Sequence, residues 1–196
     1  MDTRELILDT AFRAFMKKGI DGISLNEIVK QTGLTKGAFY HHYRNKDELL
    51  EEFVLKYLYN SIDRHISKME LASGDSYFKI QVLVESIIEY HNNPTGDSSI
   101  NPKDFHALMF SVMHKDINLK SSYRKSIDKI RNTLIATITE GQKNKIVSEI
   151  NGADEIALLL ISSVLGTIQL WLADDSIDFN MCIKNNINLI IEKMKI

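Results

Sequence analysis

Residues 35–43, TKGAFYHHY, carry side chains whose types and order could read the edges of DNA base pairs. Lys36 can donate hydrogen bonds to guanine O6 or N7, and the small residues Gly37 and Ala38 allow a backbone to approach base edges closely. Neutral hydrogen-bond donors that suit phosphate oxygens are found at Thr35, Tyr40 and His42. The segment therefore predicts contacts both to bases and to the sugar-phosphate backbone.

A small apolar core is needed to hold these side chains in one orientation. Ile28 and Val29 lie on one predicted helix. Leu34 lies in the turn that follows, and Phe39 lies on the next helix. A helix, a short turn containing glycine and a second short helix form the helix-turn-helix pattern. With Phe39 turned inward, the residues left on the outer surface are Lys36, Gly37, Ala38, Tyr40 and His41.

Two tetrapeptides predict where helices begin. Ser24 is followed three residues later by Glu27, which is the spacing of a capping box. Asn45 is followed at the same distance by Glu48. The start of a helix exposes backbone N–H groups that favour anions, so Ser24 and Lys46 are further candidates for contacts with phosphate.

Other interpretations of this segment stay open at this point. Helix-turn-helix geometry also occurs in helical domains that do not bind DNA, and an aromatic run such as residues 39–43 often contributes to a core. A metal site at the pair His41 and His42 is not expected, because adjacent residues of a helix point about 100° apart and cannot easily share one ion.

The same stretch resembles the TetR (tetracycline-repressor) family of bacterial regulators, and the match covers about the first quarter of the chain. Asn26 departs from the family pattern, because many relatives carry a basic residue there. The resemblance therefore does not decide whether this position contacts DNA. The residues that carry the resemblance are 15–19 (FMKKG), 22–24 (GIS), 27–29 (EIV), 32–34 (TGL), 36–43 (KGAFYHHY) and 45–50 (NKDELL).

The resemblance implies an all-α protein of about nine helices, with a three-helix DNA-binding domain at residues 1–46 and a larger ligand-binding and dimerisation domain at residues 47–196. It also implies that Lys36, Gly37 and Ala38 face bases while the other candidates hold the DNA backbone. The full set of candidate DNA-binding residues is Ser24, Asn26, Thr35, Lys36, Gly37, Ala38, Tyr40, His41, His42 and Lys46.

Charge and composition agree with this division of the chain. Residues 1–46 hold eight Lys/Arg against five Asp/Glu, whereas residues 47–196 hold 16 against 21. A basic first segment suits a protein that touches phosphate only there. Cys182 is the single cysteine, which is typical of a reducing compartment. There is no signal-peptide pattern and no uninterrupted apolar stretch near the roughly 20 residues that span a bilayer, so we expect a cytoplasmic protein without a membrane partner.

Helical periodicity dominates the whole chain and no alternating strand pattern is convincing. The predicted helices cover residues 4–18, 24–32, 36–42, 46–71, 76–91, 102–115, 119–142, 154–173 and 177–195.

The last two predicted helices are candidates for a dimer interface. Residues 153–175 are apolar on nearly every side, so the helix should be buried all round, unless both helices are simply core helices of a monomer. One short recognition helix reads few base pairs, whereas two copies about 34–36 Å apart would read a palindrome. The family resemblance implies pairing through these helices as a four-helix bundle. The candidate interface residues are Ser163, Gly166, Leu170, Ile183, Ile187 and Ile190.

Aromatic and methionine side chains in the middle helices are candidates for a ligand pocket, because methionines repack around varied apolar or amphipathic molecules. Plain core packing is the alternative for each of them. The candidate ligand-binding residues are Phe78, Phe105, His106, Met109, Met113, Tyr123, Gln169 and Trp171.

These patterns favour a homodimeric repressor that a small ligand releases from a palindromic operator, without a cofactor. The alternative within the same fold is a DNA-binding dimer that is controlled by a protein partner or that does not respond to a ligand. An enzyme is not expected, since the sequence has no glycine-rich phosphate loop, no HExxH motif and no Cys/His pair placed for nucleophilic attack.

Overall fold

The computed structural model describes residues 2–113 and 117–196, with the side chains of residues 113, 117 and 118 outside the description. Its fold is all-α, as predicted, and the only pairing between extended segments in this part of the chain is an isolated antiparallel bridge between Val147 and Lys195. The helices, numbered in chain order, are α1 (Thr3–Lys18), α2 (Leu25–Thr32), α3 (Lys36–His42), α4 (Lys46–Val54), α5 (Asn60–Leu71), α6 (Ser76–Asn92), α7 (Pro102–Met113), α8 (Ile117–Lys143), α9 (Ala153–Ala173) and α10 (Phe179–Met194).

Helix α2 begins and ends where the sequence indicates. The Ser24 hydroxyl accepts a hydrogen bond from the Glu27 backbone N–H at 3.3 Å, and the Ser24 N–H donates to the Glu27 carboxylate at 2.8 Å. This reciprocal pair satisfies two backbone donors that a helix start leaves without partners. At the other end Gly33 has φ 70°, a left-handed conformation that glycine adopts without steric cost.

The predicted long helix 46–71 is interrupted by one π-helical turn at Leu55–Tyr59, between α4 and α5. Counted as one interrupted helix, it brings the described residues to the nine helices that were predicted. The Tyr57 ring in this turn lies 5.1 Å from both Phe12 and Phe53, and the Tyr59 hydroxyl donates to the Leu119 carbonyl at 2.8 Å. The turn is thus fixed by tertiary contacts, which helical periodicity in the sequence cannot show.

The chain forms two compact units, each made of two segments. The first comprises Met1–Asn60 and Thr95–Tyr123. Its core is aromatic, with Phe12, Phe15, Phe53 and Phe105 all buried. The helix-turn-helix segment is part of this unit, and the proposed functional boundary at residue 46 stays a prediction.

The second unit comprises Ser61–Pro94 and Arg124–Ile196. Its core is aliphatic, and aromatic side chains contribute mainly around Trp171 and Phe179. Leu83, Leu160 and Ile183 are representative of the buried side chains that α6, α9 and α10 contribute to it.

Helix α9 is not buried all round, contrary to the prediction. Ile156, Ala157, Leu160 and Ile161 are buried in the core of the second unit, but the opposite side of the helix is exposed. By length and composition α9 is apolar enough to cross a membrane. An 18-residue stretch of the helix has a mean hydropathy of 2.1, and only 28% of that stretch is buried. Polar residues interrupt the apolar sequence of α9, so it contains no unbroken apolar stretch of the kind that the sequence analysis considered.

Candidate nucleic-acid interface

Helix α3 has two sides of opposite character. The Phe39 side chain is 0% exposed, and its ring contacts the buried Tyr43 ring at a centroid distance of 6.3 Å. Tyr40, one residue further along the helix, is 39% exposed. The exposed residues of this segment, which we call the reading edge, are Thr35, Lys36, Gly37, Ala38, Tyr40 and His41.

Local geometry fixes where the reading edge begins. The Thr35 hydroxyl accepts the Ala38 backbone N–H at 3.2 Å and so caps the helix. A Cβ atom added at Gly37 would meet no atom within 4 Å, which means that packing within the chain does not require glycine here. No hydrogen bond or ion pair among the described residues engages the Lys36 ammonium group. The edge therefore offers a cationic donor beside an open stretch of backbone.

Two of the predicted backbone-contacting residues are committed to internal hydrogen bonds. The Ser24 hydroxyl donates to the Glu27 carboxylate at 2.7 Å. Hydrogen bonds from Ser24 and then from Lys18 lower the pKa of Glu27 to about 2. The Lys46 ammonium donates to the Ile23 carbonyl at 2.7 Å and also to the Ile20 carbonyl.

The Lys46 side chain is therefore turned toward the connection between α1 and α2, and the contact of Lys46 with the DNA backbone stays a prediction. The carbonyls of that connection lie more than 20 residues earlier in the chain, so their attraction for the ammonium was not visible in the sequence. The backbone N–H groups at the start of α4 keep the predicted role. Asn26 is exposed on α2, and His42 is half-buried at the end of α3.

Known proteins are similar to this chain, both in the helix-turn-helix segment and over most of its length. A family model described as bacterial regulatory proteins of the tetR family matches residues 7–53. The transcriptional regulator AcrR of Shigella flexneri is 26% identical over 97% of this chain and 88% of its own length. TtgR of Pseudomonas putida, also a transcriptional regulator, is 27% identical over 90% of this chain and 84% of its own length.

These matches support a TetR-family regulator. The relatives AcrR and TtgR are named as transcriptional regulators, in agreement with the function class that the sequence indicated. The fold agrees, because the structure of SmeT, the repressor of the Stenotrophomonas maltophilia multidrug efflux pump SmeDEF, has a TM-score of 0.77 to this chain at 17% identity, covering 100% of this chain and 92% of SmeT. No group of three metal-ligating side chains occurs in residues 2–113 and 117–196.

The candidate ligand residues are divided between the two units. Phe105, His106 and Met109 are buried in the first unit, where Tyr123 is also found. Phe78, Gln169 and Trp171 belong to the second unit, and Met113 has its side chain outside the described residues. Neither unit holds the predicted set by itself.

Two members of that set, Phe78 and Gln169, are exposed to solvent. Phe78 lies on the first turn of α6 with 47% of its surface exposed, packed so closely over Gly74 that a Cβ there would approach its ring to 2.4 Å. Gln169 is exposed on α9. A ligand contact from either side chain stays a prediction.

The sequence analysis missed a buried polar cluster in the second unit. The His65 Nδ1 atom lies 2.8 Å from the Ser86 hydroxyl, and the His65 ring meets the edge of Tyr90 at 5.6 Å. A side-chain hydrogen bond links Tyr90 to Ser61, while burial raises the pKa of Tyr90. Burial also lowers the pKa of His65 to about 4, so this ring is neutral near pH 7. Polar residues at the core-facing positions 61 and 65 of an amphipathic helix were the available signal.

The first unit contains a half-open groove of about 500 Å³, and none of the predicted ligand residues lines it. Its walls combine charged side chains of α1 and α4 with aromatic, apolar and small polar side chains from the end of α3, the π-helical turn and α8. The lining residues are Arg4, His42, Tyr43, Glu48, Glu51, Glu52, Leu55, Tyr59, Leu119 and Ser122.

The candidate dimer residues on α10 also need correction. Ile183 and Ile187 are buried in the core of their own unit, because the apolar stripe that they form with Ile191 faces that core. They are not accessible to a partner. Ile190 is half-buried, and the exposed apolar side chains of α10 are Met181 and Leu189. On α9, Gly166 and Leu170 are exposed as predicted and Ser163 is half-buried.

Proposed function

We propose that this TetR-family regulator is a homodimeric, sequence-specific DNA-binding repressor of the cytoplasm, which a small hydrophobic or amphipathic ligand releases from a palindromic operator. The observation that carries the proposal is the two-sidedness of α3. Phe39 anchors the helix from behind, and Lys36 on the reading edge is exposed and has no hydrogen bond or ion pair with any residue that the structure describes. A lysine beside small residues suits guanine O6 and N7 in a major groove.

The proposed dimer uses the exposed side of α9. Leu158, Leu159 and Leu170 are 54%, 54% and 58% exposed, and contiguous apolar surface of this kind is typical of an interaction site. The small residues Ser162 and Gly166 lie between them at intervals of three or four residues, so all five share one helix face. We call Leu158, Leu159, Ser162, Gly166 and Leu170 the leucine face. Small residues at its centre would let two α9 helices approach closely.

The proposed ligand response uses the second unit. A neutral histidine hydrogen-bonded to serine inside an apolar core, as at His65 and Ser86, could orient a ligand that combines apolar surface with one polar group. A structure of SmeT in complex with triclosan has a TM-score of 0.78 to this chain, so a protein of this fold has been found with a small molecule. The chain passes from one unit to the other within α5 and again near Pro94 and Tyr123, so strain in the second unit has covalent routes to the first.

We propose that the ligand changes the distance between the two copies of α3 in the dimer. A coupling free energy of roughly 1–3 kcal/mol between ligand and operator corresponds to about a 5- to 150-fold change in affinity. That range is sufficient to switch transcription of a gene whose operator is occupied most of the time.

Selection of bound sequences from random duplex DNA tests the proposal. We expect a palindrome whose half-sites are centred about one helical turn apart, as required by two symmetric copies of α3. Recovery of no preferred sequence at low salt would contradict sequence-specific binding. The ligand part is tested separately, by a gel-shift screen of small molecules on the selected duplex: if none weakens the complex, the protein is instead a DNA-binding dimer without ligand control.

A further inference from the structure

Three side chains of the first unit form a connected network behind α3. The Tyr43 hydroxyl donates to Glu52 Oε2 at 2.7 Å. The Arg4 Nε atom donates to both oxygens of the same carboxylate, at 2.8 and 2.9 Å. The Arg4 guanidinium group also lies 5.5 Å from the centre of the Tyr43 ring. The network joins the start of α1, the residue that ends α3, and the second turn of α4.

The network adds something that the apolar anchor of α3 does not provide. Packing of Phe39 is non-directional, because the hydrophobic effect depends on buried area and not on angle. A hydrogen bond is directional and weakens steeply when its angle is distorted. Since Tyr43 ends α3 and its ring is buried, the bond from its hydroxyl restricts rotation of α3 about its own axis.

The protonation states favour a persistent network. The hydrogen bonds from Arg4 lower the pKa of Glu52 below its usual range, so the carboxylate is ionised at neutral pH. Burial, and then the bond to Glu52, raise the pKa of Tyr43, so its hydroxyl remains a donor. Charge-assisted hydrogen bonds of this kind are stronger than neutral ones.

We propose that Arg4, Tyr43 and Glu52 are positioning residues that set the orientation of the reading edge, and that they determine selectivity between operator and other DNA more than attraction to DNA in general. This inference rests on the proposed function. Hydrogen bonds to base edges require donor–acceptor distances of about 2.7–3.2 Å. Attraction of cations to phosphate acts over about 10 Å at 0.1 M salt, so it tolerates a small rotation of α3.

The test is the affinity of each variant for the selected operator and for an unrelated duplex, measured by fluorescence anisotropy. Tyr43→Phe keeps the buried ring and removes only the hydroxyl. We expect operator affinity to fall about 10-fold while affinity for the unrelated duplex changes less than 2-fold. Arg4→Gln should act in the same direction. The double variant should lose little more than the larger single loss, because both changes break one network.

Arg13→Gln is the matched control. Arg13 is an exposed arginine of α1, the helix that also carries Arg4. Among the described residues it pairs with Asp9 and Asp97 and with no residue of α3 or α4. This control should leave both affinities unchanged. If Tyr43→Phe lowers the melting temperature of the protein, Glu52→Gln provides the second variant. It retains an acceptor for the Tyr43 hydroxyl and loses the charge, and it should lower selectivity by less than Tyr43→Phe.

Equal losses for operator and unrelated DNA, or unchanged operator affinity, would overturn this inference alone. Additive losses in the double variant would also overturn it, because independent sites would then be acting. A wild-type protein that is indifferent to sequence would overturn the proposed function and this inference together, and the wild-type measurement distinguishes that case from the others.

Discussion

Helices α3 and α9 each have one side exposed to solvent, but the two exposed sides differ in chemistry: one is polar and the other is apolar. The reading edge of α3 presents Lys36, Tyr40 and a glycine that internal packing does not require. The leucine face of α9 presents three half-exposed leucines around Ser162 and Gly166. One side therefore suits an anionic, hydrated partner, and the other suits an apolar partner of matching shape.

The physical costs of leaving these two sides uncovered also differ. Full burial of a leucine side chain stabilises a complex by about 1.5–3 kcal/mol, so each half-exposed leucine of α9 gains roughly half of that when it is covered. The reading edge gains nothing comparable from burial. Its lysine must instead exchange water for base or phosphate oxygens, which makes binding reversible and sensitive to salt.

The largest expected effect comes from a charge on the leucine face. Leu159→Arg should convert the proposed dimer to a monomer, because a cation would be buried in an apolar interface. Loss of the second half-site contact should then weaken operator binding by about 100- to 10,000-fold. Light scattering gives the mass and gel shift gives the affinity.

Leu71→Arg is the control for that substitution, since Leu71 is an exposed leucine at the end of α5 outside the leucine face. It should leave mass and affinity unchanged. If the Leu159→Arg variant were still a dimer, the leucine face would not be the dimer interface and would bind another partner. Recovery of the wild-type protein with membrane vesicles would point to the lipid bilayer, for which α9 is long enough.

Salt concentration should change the affinity for operator DNA but not the affinity between subunits, and this effect is smaller than that of Leu159→Arg. If two cations of each subunit neutralise phosphates, raising the salt concentration from 50 to 200 mM should weaken operator binding roughly 100-fold. Dimerisation through the leucine face should change little over the same range, because it depends on apolar burial. Sedimentation equilibrium and anisotropy, run in the same buffers, measure the two. Strongly salt-sensitive dimerisation would show that charged residues and not leucines hold the subunits together.

The smallest predicted effect concerns the two helix starts. Thr35 caps α3 through its hydroxyl, whereas Gly152 at the start of α9 has no side-chain oxygen. Thr35→Ala should lower the free energy of unfolding by about 1 kcal/mol. Gly152→Ser should raise it by a few tenths of a kcal/mol, since glycine is only slightly worse than serine at this position. Urea denaturation followed by circular dichroism measures both, and a stabilising Thr35→Ala would contradict the assigned cap.

Local signals in the sequence predicted much of the fold and the reading edge. Caps at Ser24 and Thr35, the glycine that ends α2 and the inward Phe39 depend on residues within a few positions of each other. Neighbouring residues largely determine each of these features, so the sequence was sufficient to predict them.

What the sequence could not show depends on contacts between distant residues. The Lys46 ammonium is held by carbonyls of Ile20 and Ile23, and the His65 ring by Ser86 on another helix. The stripe through Ile183 was recognised as apolar, but periodicity alone cannot say whether such a stripe faces its own core or a partner. The division of the candidate ligand residues between two units has the same cause.

Base preference after substitution of Lys36 tests the central claim most directly. Selection from random DNA should be repeated with Lys36→Ala, with Tyr40→Ala, and with Lys30→Ala as a control for an exposed lysine on α2. The account predicts that Lys36→Ala relaxes the preference at one position of each half-site and costs about 1–3 kcal/mol at the best site. Tyr40→Ala should weaken all sequences similarly, and Lys30→Ala should keep the wild-type preference. If Lys36→Ala retained the full wild-type base preference, the reading edge of α3 would not be what reads the operator.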